Sequence, residues 1–157
     1  IDAPGHGLSS GNFMTVPLYS EVIVKLMYDT GPFHSVVGHS IGGFTSLYTF
    51  FKHQHLAPQQ LVTLAPPTEA KEFFNFYSQQ LGLTSRTMNL VRNRFIKEVG
   101  VEPEYFSAPN FAAEVPSRGL LIHDEEDDET SVENSKKIHA RWKNSQLMIT
   151  KGTGHNL

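Results

Sequence analysis

Gly38-His39-Ser40-Ile41-Gly42 fits the pattern G-x-S-x-G, and its setting constrains the fold more than the pattern does. It directly follows a short apolar run, Phe33 to Val37. It directly opens a segment in which Ile41, Phe44, Leu47, Tyr48 and Phe51 recur at helical spacing. A strand that turns straight into a helix in this way holds a serine on a sharp corner with its hydroxyl exposed. Glycine is expected at the flanking positions because side chains there would collide with the neighbouring strand and helix. The helix N-terminus beside Ser40 favours developing negative charge, and the backbone N–H of Ile41 is the expected donor to an oxyanion.

The remainder of the chain continues the alternation. Pro4-Gly5-His6-Gly7 and Ser9-Ser10-Gly11 predict a loop, and Leu18, Val22, Ile23, Leu26 and Met27 predict a helix ending near Gly31. Leu61 to Leu64 reads as a buried strand stopped by Pro66-Pro67. Thr68 to Leu81 and Thr84 to Val99 read as two helices, the first rich in aromatics, and Pro103, Pro109 and Pro116 punctuate a loose connector. Gly119 to His123 is the next strand, and Thr130 with Glu133 has capping-box spacing for a helix running to about Lys143. Gln146 to Thr150 is the last strand, ending in Gly152-Thr153-Gly154-His155. This order predicts an α/β fold, a mostly parallel sheet with helices on both faces. Residues 1–67 and 114–157 form its core. Residues 68–113 form a small helical cap inserted between two sheet strands, with plain covering of the sheet as the alternative role for those helices.

A serine hydroxyl is a poor nucleophile at neutral pH and needs a base, itself oriented by an acid. In a fold of this kind the chain order is serine, acid, histidine. His155 lies in a glycine-flanked loop just after the final strand, where an imidazole can swing over the carboxyl edge of the sheet. No other histidine has that combination: His39 sits inside the corner and packs beside it, His6 is on a loop bordering a pocket, and His53, His55 and His139 lie on helical or solvated stretches. For the acid, Asp124-Glu125-Glu126-Asp127-Asp128-Glu129 offers six carboxylates after one strand, most of them a solvated loop. Placement favours Asp127, with Asp124 and Asp128 as alternatives. The run lacks the spaced ligands and central glycine of a calcium loop, so no metal site is expected.

Composition narrows the partners. The 157 residues suffice for one domain with a real core; 39% are hydrophobic and 18% charged, the balance of an ordinary globular protein. A formal net charge of -3 gives no sign of a nucleic-acid or anionic-membrane partner, and the absence of cysteine excludes disulfides and thiolate chemistry. No apolar run approaches the roughly 18 residues of a membrane-spanning helix, so a cytoplasmic location is expected. The sequence sets no oligomeric state. The chain opens on Ile1 in what reads as the end of a strand, so sequence upstream is expected.

Four segments resemble the α/β-hydrolase superfamily in its own order. Asp2 to Ser9 is similar to the D-x-P-G-x-G-x-S segment after the family's fourth strand, and Gly38 to Gly43 to its G-H-S-x-G-G elbow. Ile122 to Asp127 resembles I-H-G/D-x-x-D, whose last aspartate is the triad acid, and Gly152 to His155 resembles the G-x-G-H loop. The resemblance implies a Ser40-His155-Asp127 triad acting on a small-molecule acyl ester or thioester, without a cofactor. Serine at the elbow speaks against dehalogenase or epoxide hydrolase chemistry. A C–C hydrolase, acyltransferase or perhydrolase with the same triad, or a hydrolase-fold protein that only binds ligands, are the alternatives. Phe73, Phe74 and Tyr77 of the cap are expected to line an apolar substrate pocket or to pack the cap on the sheet. Arg86, Arg92, Arg94 and Lys97 are expected to form a solvated face. The family's first three strands, the loop donating its second oxyanion N–H, and its final helix have no counterpart here. The strand at Phe33 to Val37 is therefore expected to carry an unpaired, aggregation-prone edge, leaving the segment alone poorly soluble and nearly inactive.

Overall fold

A computed structural model describes residues 1–156; Leu157, the last residue of the expected core segment, lies outside the described residues. Four strands form one parallel sheet in the order β1 (Ser35–His39), β2 (Gln60–Leu64), β3 (Arg118–Asp124) and β4 (Ser145–Thr150). Parallel neighbours need a crossover between them, and the chain supplies α2 (Ile41–Lys52) and α6 (Val132–Arg141) for two of these. The strand before the corner starts two residues later than its apolar run, at Ser35, and extends through Gly38 to His39.

Helix α1 (Val16–Thr30) starts where the Thr15 hydroxyl accepts the Leu18 N–H, with a proline in its first turn. It stops at Gly31, whose φ of 89° suits glycine. Its buried face, Tyr19, Ile23 and Met27, steps by four residues and packs on α2. Helix α2 is buried from Gly43 to Phe50, a sign that it is enclosed on nearly every side. Phe44, Leu47 and Phe50 meet Leu61 of β2 and Leu121 of β3 there, together with Ile138 and Trp142. A short helix inside the proline-rich connector, α5 (Ala108–Ala112), brings Phe111 edge-on to Phe44 and Tyr48. Its five residues are too few for periodicity to reveal, and Pro109 opens the helix rather than breaking it.

These helices share one face of the sheet, where Leu61, Thr63, Gly119, Leu121 and His123 are buried. The second face of the sheet carries Val37, Val62, Leu120, Ile122 and Met148. No helix within the described residues covers it: Val37 is 64% and Met148 52% exposed. The outer edge of β1 pairs with no strand among the described residues.

Between β2 and β3 the chain leaves the sheet as α3 (Ala70–Gln80) and α4 (Ser85–Val99), neither of which has a fully buried residue. The excursion is closed at its root. Glu69 and Ser107 form an antiparallel bridge, the Ala108 N–H donates to the Thr68 carbonyl at 2.7 Å, and the Ala70 N–H donates to Phe106 at 3.1 Å. Glu72 adds a polar tie, accepting from the Thr68 hydroxyl and from the Asn134 amide of α6.

Candidate active site

The corner at Ser40 is built by close backbone approach. Ser40 has φ 50° and ψ −121°, a conformation that costs a non-glycine residue energy and persists only where surroundings enforce it. The Ser40 N–H donates to the Leu64 carbonyl of β2 at 2.7 Å, tying the corner to the neighbouring strand. A Cβ on Gly38 would stand 2.7 Å from backbone atoms of Gly42 and Gly43, and one on Gly43 2.9 Å from the Gly38 carbonyl. The pattern's second glycine is different: a Cβ on Gly42 would meet only the Tyr19 hydroxyl, at 3.9 Å. The collision expected at both flanks thus occurs at Gly38 and at Gly43, not at Gly42. Ile41 opens α2, so its N–H belongs to the first turn, where helical N–H groups lack intrahelical partners.

Asp127 and His155 meet across the sheet's carboxyl edge. The His155 Nδ1–H donates to Asp127 Oδ2 at 2.8 Å, with the aspartate side chain fully buried and the imidazole nearly so. Three more donors hold the carboxylate: the Glu129 and Thr130 N–H groups on Oδ1, each at 2.9 Å, and the Thr130 hydroxyl on Oδ2, also at 2.9 Å. Burial pushes this carboxyl up; the donors from Thr130, His155 and Glu129 outweigh burial and hold it below its ordinary range. Asp127 is therefore ionised at neutral pH and fixes His155 in the tautomer whose Nε2 is free to accept a proton.

His123, at the end of β3, completes the surroundings of that carboxylate. Its Nε2–H donates to the Thr130 carbonyl at 2.9 Å and lies 3.3 Å from Asp127 Oδ2, while Nδ1 accepts from the Ser135 hydroxyl at 2.8 Å. Thr130 is thus bound to the acid rather than capping the helix. The cap is Ser131, whose hydroxyl accepts the Glu133 N–H. Asp128 is exposed.

His39 joins the two halves of the site. Its Nε2–H donates to the His155 carbonyl at 2.8 Å, and the two rings lie 4.9 Å apart. The residue next to Ser40 in sequence therefore grips the backbone of the histidine. No hydrogen bond joins the Ser40 hydroxyl to His155; Nε2 of His155 has the exposed Glu129 carboxylate 3.8 Å away.

The aromatic residues of the excursion have other partners. Phe74 lies edge-on to Phe95, Tyr77 lies edge-on to Phe76 in an exposed pair, and Phe73 is half-buried. A cleft of about 530 Å³ runs along the free edge of β1, lined by His6, Tyr19, Val37, His39 and Ile41 among others. None of Phe73, Phe74 and Tyr77 lines it. Arg92 is engaged by Glu102 and Glu104. No described helix is long and apolar enough to cross a membrane.

Against solved structures the chain superposes over nearly its whole length. It matches the monoacylglycerol lipase of Paleococcus ferrophilus with a TM-score of 0.70 at 22% identity, covering 99% of this chain and 73% of that one. Est1E of Butyrivibrio proteoclasticus, solved with ferulic acid bound, gives 0.72 at 20% identity, covering 98% and 67%. The meta-cleavage product hydrolase CumD of Pseudomonas fluorescens gives 0.65 at 17%, covering 98% and 71%. The chain has the α/β-hydrolase fold. Within that fold it spans about two thirds of its counterparts' length, from 66% of an Acinetobacter baumannii protein to 73% of the Paleococcus ferrophilus enzyme. No protein-family model and no curated protein matches it. At such identities the hydrolase fold is what is shared; the chemistry rests on the residues themselves.

Proposed function

We propose that this chain carries the catalytic residues of a serine hydrolase that cleaves a carboxylic ester or thioester. Ser40 is the nucleophile, His155 the base and Asp127 the acid. The reading is carried by one observation: a buried, fully hydrogen-bonded aspartate holds His155 through Nδ1 at 2.8 Å, with the imidazole against the strained corner that bears Ser40. In this reading His155 Nε2 takes the Ser40 proton as Oγ adds to the acyl carbonyl. The oxyanion is met by the Ile41 N–H and the positive end of α2, and the proton passes to the leaving alcohol or thiol as the acyl-serine forms. Water, deprotonated by the same nitrogen, then releases the acid.

The fold is also that of a C–C hydrolase such as CumD, so a second reading applies the same residues to a carbon leaving group. A panel of acyl esters, thioesters and ring-cleavage diketones separates the two. Fluorophosphonate labelling tests the shared chemistry: adduct at Ser40, lost in Ser40→Ala and His155→Ala, is the expected result. Asp127→Asn is expected to lower turnover about 10⁴-fold, and Asp128→Asn to leave it near wild type. Equal losses in the two asparagine variants would overturn the assignment of the acid.

A further inference from the structure

The loop that delivers His155 has almost nothing to pack against. Lys151, Gly152 and Thr153 are exposed, and Gly152 and Gly154, with φ 82° and 64°, have open space where a Cβ would stand. A segment held by so few apolar contacts is mobile unless polar ties fix it. His39 and Asp127 hold His155 itself; the ties on the stretch that leads to it converge on a carboxylate that the chemistry above leaves unused. Asp124, the last residue of β3, is fully buried. Its Oδ2 accepts from the Thr150 hydroxyl at 3.0 Å, the Thr153 N–H at 3.0 Å and the Thr153 hydroxyl at 2.7 Å, while Oδ1 accepts the Glu126 N–H at 2.9 Å.

We infer that Asp124 is a positioning residue, fixing the loop that carries His155 and so the reach of its imidazole toward Ser40. The inference rests on the serine-hydrolase reading and deepens it. Thr150 ends β4 and Thr153 lies two residues before His155, so one buried group sets both the departure of the loop and its last step. The Glu126 N–H on the other oxygen ties the same group to the turn bearing Asp127. Acid and base thus take their spacing from a shared point between them. Only an ionised carboxylate suits this place. All four donors need an acceptor, and an amide would set its own N–H against one of theirs.

The experiment places Asp124→Asn, Thr153→Val and Thr153→Ser in the full-length protein and compares each with the unaltered form. Displacement of a reacting group by about 1 Å costs on the order of 10²-fold. Asp124→Asn is therefore expected to slow fluorophosphonate labelling of Ser40 and to lower kcat by about that factor, with KM unchanged. Thr153→Val is expected to give a smaller loss, and Thr153→Ser to restore the rate. Proton NMR supplies a readout independent of turnover. The hydrogen-bonded Nδ1 proton of His155 gives a far-downfield signal, which is expected to shift or broaden in Asp124→Asn and Thr153→Val and to hold its place in Thr153→Ser.

Labelling at the wild-type rate in folded Asp124→Asn, with the downfield proton unmoved, would overturn the inference. Should Asp124→Asn fail to fold, Thr153→Val decides by the same two readouts. If the full-length protein is not labelled at Ser40, the hydrolase reading falls, and the proton signal alone then decides whether Asp124 sets the position of His155.

Discussion

Alanine placed in turn at the two pattern glycines of the corner makes a matched pair with opposite outcomes. At Gly38 the new methyl would lie 2.7 Å from the Gly42 carbonyl carbon and oxygen and from the Gly43 nitrogen, about 1 Å inside the 3.5–4.0 Å of ordinary carbon contact. These are backbone atoms of the corner and the first turn of α2, so no side chain can swing aside. Relief requires the strand and helix to part, at a cost of about 1–3 kcal/mol for forced overpacking, or roughly 2–12 °C in Tm for a chain of this size. The same parting moves Ser40, and about 1 Å of displacement costs on the order of 10²-fold in reaction rate. At Gly42 the nearest neighbour is the Tyr19 hydroxyl at 3.9 Å, so the methyl fits and helix propensity favours alanine by up to about 1 kcal/mol. Thermal unfolding and the labelling rate of Ser40 measure both effects. Gly38→Ala labelling as fast as wild type, or Gly42→Ala as damaging as Gly38→Ala, would refute the steric argument.

Two further outcomes follow from the same structure. Asp124 and Asp127 are held below their ordinary range, so the unfolded chain binds more protons than the folded one in acid. The stability they contribute is present above the unfolded carboxylate value of about 3.9 and is lost as pH falls from there through the lower folded values. The urea midpoint should therefore fall as pH drops below about 4, less steeply in Asp124→Asn; a midpoint that rises over that range would contradict this. In α4, Phe95 joins Phe74 to the buried Phe106, while α3 and α4 have no buried residue of their own. Phe95→Ala is expected to speed protease cleavage within residues 70–100 while costing less than the roughly 3–5 kcal/mol of a fully buried phenylalanine. A loss of Tm as large as that of Phe44→Ala would mean that the excursion is integral to the core.

What the sequence revealed was what is encoded locally. The corner at Ser40 announces itself because glycines, hydroxyl, strand and helix lie within twenty residues. The strand order follows from the alternation of short apolar runs and amphipathic stretches. His155 was legible from its glycines and its place after the last strand. The roles of Thr130 and Asp124 were not. Thr130 stands three residues before Glu133, a spacing that mimics a helix cap, while its hydroxyl is turned back to Asp127. Asp124 reads in the sequence only as an alternative for the acid, because its partners, Thr150 and Thr153, follow 26 and 29 residues later. Gly42 shows the converse: a pattern position can be occupied by glycine with space to spare.

The zipped root of the α3–α4 excursion carries a consequence for how such a chain can vary. Thr68 and Ala108 are joined by a main-chain hydrogen bond, so whatever lies between leaves and re-enters the scaffold at one point. The intervening stretch can lengthen, shorten or be exchanged wholesale while the sheet beneath keeps its register. The excursion is thus open to diversification at a tempo of its own, uncoupled from the sheet that it leaves and rejoins.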